Sequence, residues 1–165
     1  MPKGNLYPNS ASFNMVTGIV GVIMKLSELC PVELPTSNLT KDIFIGHGVS
    51  KNIWEIAEGY LGSRPIVVSD PHTFAASGCE QTPSQSFDLP RHPHADDSTV
   101  DMVHAALRDR SGALAIGSGT VNDLVKRASH LNETPYIVMG TAASMNGYAS
   151  GIAAILSNGL KTTVP

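Results

Sequence analysis

The stretch that most constrains this chain runs from Ala113 to Asp123, Ala-Leu-Ala-Ile-Gly-Ser-Gly-Thr-Val-Asn-Asp. Ala113 to Ile116 is a short apolar run of the kind a buried strand needs. It breaks at Gly117-Ser118-Gly119, and Val121, Leu124, Val125, Ala128 and Leu131 then recur at helical spacing. In strand, glycine turn and helix, the backbone can approach a ligand closely, and the helix start aims unpaired N–H groups and a positive dipole end at it. A phosphate suits that place. By itself the motif is equally an ordinary tight turn. A dinucleotide fingerprint wants a third glycine where Asn122 stands, and the Gly-Lys-Ser/Thr of a phosphate-binding P-loop is missing.

The flanking sequence repeats the alternation. Apolar runs at Asp42 to Ile45, Pro65 to Asp70 and Pro135 to Gly140 read as strands. A helix is predicted from Ser50, its N-cap, to Leu61, with Ile53, Ile56, Ala57, Tyr60 and Leu61 inward and Gly62 as its stop. Asp96, Asp97 and Ser98 cap another, with Val100, Val103 and Leu107 inward and Ser111-Gly112 at its end. Prolines and glycines between Ser77 and Pro93 leave space only for a very short strand at Phe87 to Leu89. Gly151 to Leu156 reads as the start of a small-residue helix. Alternating strands and helices predict an α/β fold, a Rossmann-like, mostly parallel sheet flanked by helices.

In such sheets ligands bind beyond the carboxyl ends of the strands. Those ends are Gly46-His47-Gly48, Asp70, Gly117-Ser118-Gly119 and Thr141-Ala142-Ala143-Ser144. Asp70 has two readings. A carboxylate there can accept hydrogen bonds from a nucleotide ribose, or it can cap the turn Pro71-His72-Thr73.

The 165 residues are enough for one domain with a core. Residues 1–40 read as leader and loop, and 41–165 as the domain. A net charge of −3 and 5% aromatic residues argue against a nucleic-acid partner. Met15 to Met24 is too short to span a membrane and lacks a signal-peptide cleavage site, so a cytoplasmic location is expected. Cys30 and Cys79, in no metal-type spacing, then read as reduced thiols. His92 and His94, with Asp96 and Asp97 close by, have the spacing of a metal-binding pair on a strand, but Pro90 and Pro93 make the segment a loop, and no intrinsic metal site is expected. Ser144 stands in no Gly-x-Ser-x-Gly elbow, which argues against a hydrolase.

Two segments together are more specific. Gly117-Ser118-Gly119-Thr120-Val121-Asn122-Asp123-Leu124 is followed by Thr141-Ala142-Ala143-Ser144-Met145-Asn146-Gly147-Tyr148-Ala149-Ser150. The pairing resembles the sn-glycerol-1-phosphate dehydrogenase family, related to glycerol dehydrogenases, iron-containing alcohol dehydrogenases and dehydroquinate synthases. Val67-Val68-Ser69-Asp70 and the segment from Leu89 to Val100 resemble it too, and the likeness runs from about Ile43 to Pro165. The resemblance implies a dehydroquinate synthase-like N-terminal domain carrying NAD or NADP. It implies hydride transfer between the nicotinamide and C2 of glycerol 1-phosphate or dihydroxyacetone phosphate. By the same resemblance, Gly117 to Asp123 lie along the dinucleotide, and Thr141 to Ser144, with Ser150, hold its pyrophosphate and nicotinamide side. Asp70 would hold the adenosine ribose, and Asn146 would face the substrate. The charge of Asp70 favours NAD, with NADP as the alternative.

Three departures qualify this. Asn146 stands where the family has Asp, so the site loses a charge and gains a donor. The segment from Asp70 to Gly119 is shorter than the family's, which threatens an unpaired sheet edge near Ser77 to Phe87. The family's divalent metal is held by an Asp and two His of a C-terminal helical domain absent before Pro165. The expectation is a dinucleotide-binding half that does not turn over alone and takes a small phosphorylated polyol only when complemented by a second domain. The rival expectations are a non-catalytic dinucleotide-binding module and a structural remnant that persists as a homo-oligomer through exposed apolar surface.

Overall fold

The structure, a computed structural model, describes residues 24–25, 40–80 and 83–165. The readings made for residues 1–23 and 26–39, Cys30 included, lie outside the described residues. No helix among the described residues is long and apolar enough to cross a membrane.

Four parallel strands form the sheet: β3 (Pro65–Ser69), β4 (Ser86–Asp88), β5 (Gly112–Gly117) and β6 (Tyr136–Gly140), in the order β4-β3-β5-β6. Their register explains the two-sided core. Ile66 and Val68 lie level with Ala113 and Ala115 on one face, and Val67 lies level with Leu114 on the other. Side chains alternate along a strand, so each apolar run feeds both faces, and every residue of β5 is buried.

Helix α1 (Ile53–Leu61) covers one face with Ile53, Ala57 and Leu61. Helices α3 (Asp97–Ala106) and α4 (Gly119–Asn132) cover the other, through Val100, Val103, Val121, Leu124, Val125 and Ala128. The six-residue α2 (Pro71–Ala76) follows β3 directly, where the sequence suggested only a turn. A hairpin, β7 (Ala153–Ser157) and β8 (Leu160–Val164), presses Ala153 and Ile155 into the core beside α4.

Several sequence expectations are corrected. Residues 151–156 start no helix. Asn158 and Gly159 both have positive φ (50° and 78°), the tight two-residue hairpin turn that an Asn-Gly pair favours. The strand expected at 42–45 is only β2 (Phe44–Ile45). It pairs antiparallel with β1 (Met24–Lys25) outside the main sheet, so Gly46-His47-Gly48 is not at a carboxyl end of that sheet. Ser50 is no N-cap: a 3-10 turn over Val49–Asn52 precedes α1. Helix α3 stops at Ala106, before Ser111-Gly112. Leu131 is 42% exposed, because the last turn of α4 instead turns Asn132 towards α3, where its amide donates to the His104 carbonyl at 3.1 Å. The edge of β3 is not left open. Strand β4, one residue earlier than expected, pairs with Val67, Val68 and Ser69 despite the short connection.

Candidate functional site at the carboxyl ends of the strands

The strands end level. Ser69 lies opposite both Asp88 and Ile116, and Gly117 lies opposite Gly140. The segments that emerge there are Asp70 to Thr73, Pro90 to His92, Ser118 to Thr120 and Thr141 to Ser144. The structure therefore gathers the two motif segments, as the sequence suggested.

At the glycine turn, Gly117 must lack a side chain, because a Cβ there would run into Val121. Ser118 takes the N-cap position of α4 in extended conformation, and its hydroxyl makes no cap hydrogen bond. The backbone N–H of Asn122 closes onto the Ser118 carbonyl at 3.0 Å. The N–H groups of Gly119, Thr120 and Val121 precede the first internal bond and have no side-chain acceptor from the cap. They are the donors an anion can use. Val121 is fully buried and Gly119 is buried beneath the Met145 side chain, whereas Ser118 and Thr120 are partly exposed.

The loop after β6 folds over this turn. The Thr141 N–H donates to the Gly117 carbonyl at 3.1 Å. The Tyr148 hydroxyl donates to the Ala142 carbonyl at 3.1 Å and accepts from the Ala142 N–H at 3.3 Å, while its ring covers Gly140. Met145 reaches back across Gly119. Ala143, Ser144 and Asn146 are exposed, and the Ser150 hydroxyl accepts from the Ile152 N–H at 3.3 Å.

Asn122 and Asp123 turn towards the protein. The Asn122 amide is 1% exposed; its nitrogen lies 3.3 Å from Asp123 Oδ1 and 3.4 Å from the Gly147 carbonyl, and its oxygen has no partner. Asp123 Oδ2 accepts from the Ala154 N–H at 3.2 Å. Lys126, absent from the sequence-based candidates, is 5% exposed and donates to the carbonyls of Gly147 (2.9 Å) and Ile152 (3.0 Å). Burial pushes its ammonium below the ordinary lysine range, and the Asp123 carboxylate 3.9 Å away opposes the shift. These three residues anchor the 147–154 segment to α4. Their spacing along one helix face was the available signal.

Asp70 resolves towards its structural reading. It is 5% exposed, Oδ1 accepts from the N–H groups of His72 (2.9 Å) and Thr73 (3.1 Å), and Oδ2 accepts from the Thr73 hydroxyl (2.8 Å). The Thr73 hydroxyl also lies 3.0 Å from the Ile116 carbonyl, an alternative acceptor for its one proton, which places the start of α2 against the end of β5. The hollow lined by Trp54, Glu58, Gly62 and Pro65 lies by α1 and contains none of the predicted site residues.

A family model described as iron-containing alcohol dehydrogenase matches residues 45–165. The chain belongs to that family. It is 26% identical over 137 residues to a glycerol-1-phosphate dehydrogenase [NAD(P)+] of Bacillus velezensis, covering 75% of this chain and 35% of that protein. A glycerol-1-phosphate dehydrogenase [NAD(P)+] of Pyrococcus furiosus is 30% identical over 133 residues, covering 75% and 38%. The fold agrees with the crystal structure of a probable glycerol dehydrogenase from Sinorhizobium meliloti, with a TM-score of 0.57 at 19% identity over 72% of this chain and 34% of that one. The chain thus spans little more than a third of the length of these relatives. The family's Rossmann-like, dehydroquinate synthase-like architecture is the one described above.

No group of three or more His, Cys, Asp and Glu among the described residues could hold a metal ion. The donors at the glycine turn, in contrast, fit a diphosphate: an uncapped helix start beside glycine and small hydroxyls.

Proposed function

We propose that the chain is the dinucleotide-binding part of an NAD(P)-dependent oxidoreductase acting on glycerol 1-phosphate or dihydroxyacetone phosphate. The observation that carries this reading is the uncapped N-terminus of α4 at the glycine turn, facing the Thr141 to Ser144 segment. The names of the similar enzymes supply the substrate class. The N–H groups of Gly119 and Thr120 bind the diphosphate, and the hydroxyls of Thr141 and Ser144 complete its shell. Asp70 positions the adenosine side by capping α2. Lys126 and Asp123 hold the segment that presents Asn146 and Ser150. A bound nicotinamide would accept a hydride from C2 of glycerol 1-phosphate, or give one to C2 of dihydroxyacetone phosphate in the reverse direction. No group of three or more His, Cys, Asp and Glu among the described residues could hold a metal ion, and the proposal gives these residues the dinucleotide and not the metal.

The neutral Asn146 favours a second reading, a non-catalytic dinucleotide-binding module. Titration with NADH, followed by nicotinamide fluorescence, tests the binding common to both. Saturation in the wild type and at least tenfold weaker binding by Gly119→Trp, with an unchanged circular dichroism spectrum, support it. No saturable binding by the folded chain overturns it. Adding a family enzyme's helical domain and dihydroxyacetone phosphate, which NADH can reduce, then separates the two readings by the presence or absence of NADH oxidation.

A further inference from the structure

A basic cluster stands beside the glycine turn, at the ends of β3 and β4. Arg91 donates from Nε to Nε2 of His72 at 2.7 Å, and the His92 ring packs on His72 with centroids 5.6 Å apart at 36°. All three side chains are exposed. Among the described residues Arg91 pairs with no carboxylate, and its two terminal nitrogens make no hydrogen bond. The His72 contact occupies Nε and steadies the guanidinium, which leaves its fork of terminal donors open. That fork matches the oxygens of a phosphate.

Its position defines which phosphate. Ser69 is level with Asp88 on one side and Ile116 on the other, so the end of β4 lies two strand spacings, about 10 Å, from the end of β5 and its glycine turn. A nucleoside whose diphosphate sits on the turn reaches that far. In dinucleotide folds the adenosine ribose lies near the end of the strand next to the glycine turn. A free acid there suits an unmodified 2′-hydroxyl, and a nearby arginine accommodates a 2′-phosphate. Here the acid is withdrawn. Asp70 is 5% exposed, both its oxygens accept hydrogen bonds from within α2, and two N–H groups and a hydroxyl offset its charge. The charge argument for NAD made from the sequence therefore loses its ground, and the exposed Arg91 guanidinium stands in its place.

We infer that Arg91, His72 and His92 form a phosphate subsite that selects the 2′-phosphorylated dinucleotide, NADP over NAD. The inference rests on the dinucleotide reading above and goes beyond it by assigning cofactor choice to three named side chains. Arg91 grips the phosphate through its terminal nitrogens, and His92 adds a ring N–H from the far side of His72.

The test is binding of NADPH and NADH to the wild-type chain and to Arg91→Glu and His72→Gln, with circular dichroism as the check on folding. The expected result is NADPH bound at least tenfold more tightly than NADH by the wild type. Arg91→Glu brings the ratio close to one, and His72→Gln moves it in the same direction. Adenosine 2′,5′-bisphosphate should displace NADPH at a lower concentration than adenosine 5′-monophosphate does; displacement by inorganic phosphate at that same low concentration would overturn a nucleotide-specific subsite. NADH bound as tightly as NADPH, or a ratio unmoved by Arg91→Glu, overturns the inference and leaves the dinucleotide reading standing. Binding of neither nucleotide overturns both.

Discussion

Met145 lies across Gly119: a Cβ added at Gly119 would collide with the Met145 methyl and sit 3.1 Å from its sulfur. Met145 is 38% exposed and flexible, so it can swing aside. Gly119→Ala should therefore lower stability by less than about 1 kcal/mol. Gly117→Ala should do more damage, about 2–4 kcal/mol, because its Cβ meets the fully buried, β-branched Val121. Urea denaturation of the two variants checks the order. Equal losses would contradict the different roles given to the two glycines.

Asp70 should behave as a cap. Asp70→Ala removes the acceptor of two N–H groups and a hydroxyl and should lower stability by about 1–2 kcal/mol. Asp70→Asn keeps an acceptor oxygen and should lose less. An Asp70→Ala variant as stable as the wild type would show that the carboxylate is not structural.

Lys126 should hold the loop rather than touch ligand. Lys126→Met removes the ammonium from the Gly147 and Ile152 carbonyls, of which Gly147 keeps the Ser150 N–H at 3.1 Å, and removes the cation beside Asp123. A loss of about 1–3 kcal/mol is expected, together with faster exchange of the Ala154 amide, which Asp123 holds at 3.2 Å. Exchange at Ala154 unchanged from wild type would separate the two contacts.

Alkaline pH should unfold the chain through its tyrosines. Tyr136 is raised above its ordinary range by burial and by the charge of Asp123, and Tyr60 by burial and its hydrogen bond to Asp42. A folded-state pKa above the unfolded one means that the unfolded chain releases its proton first. That stability is fully present below about pH 10 and is lost as pH rises past it. Lys126 works in the opposite direction, since its folded-state pKa is lowered and discharge relieves its burial as pH rises towards the ordinary lysine value. Two tyrosines outweigh one lysine, so the guanidinium midpoint should fall above pH 10. Tyr136→Phe should flatten that fall.

The parts legible in sequence were those with local causes. The strand, turn and helix from Gly112 to Asn132 followed from one apolar run, two glycines and a helical repeat. The capping role of Asp70 was half visible, since Thr73 stands three residues on, where a capping box needs it. The hairpin was not legible because the small residues from Gly151 to Leu156 read equally as a helix start, whereas its strongest local signal is the Asn158-Gly159 pair that follows. The pairing of His72 with Arg91 had no local cause. It exists because β4 lies beside β3, and only the sheet order brings the two loops together.

The most direct test of the central claim is to map reduced dinucleotide onto the chain by amide chemical shifts. The account predicts saturable shifts concentrated at Gly119, Thr120, Val121 and Thr141 to Ser144. Shifts confined to the hollow around Trp54, or none at saturating nucleotide, would contradict it.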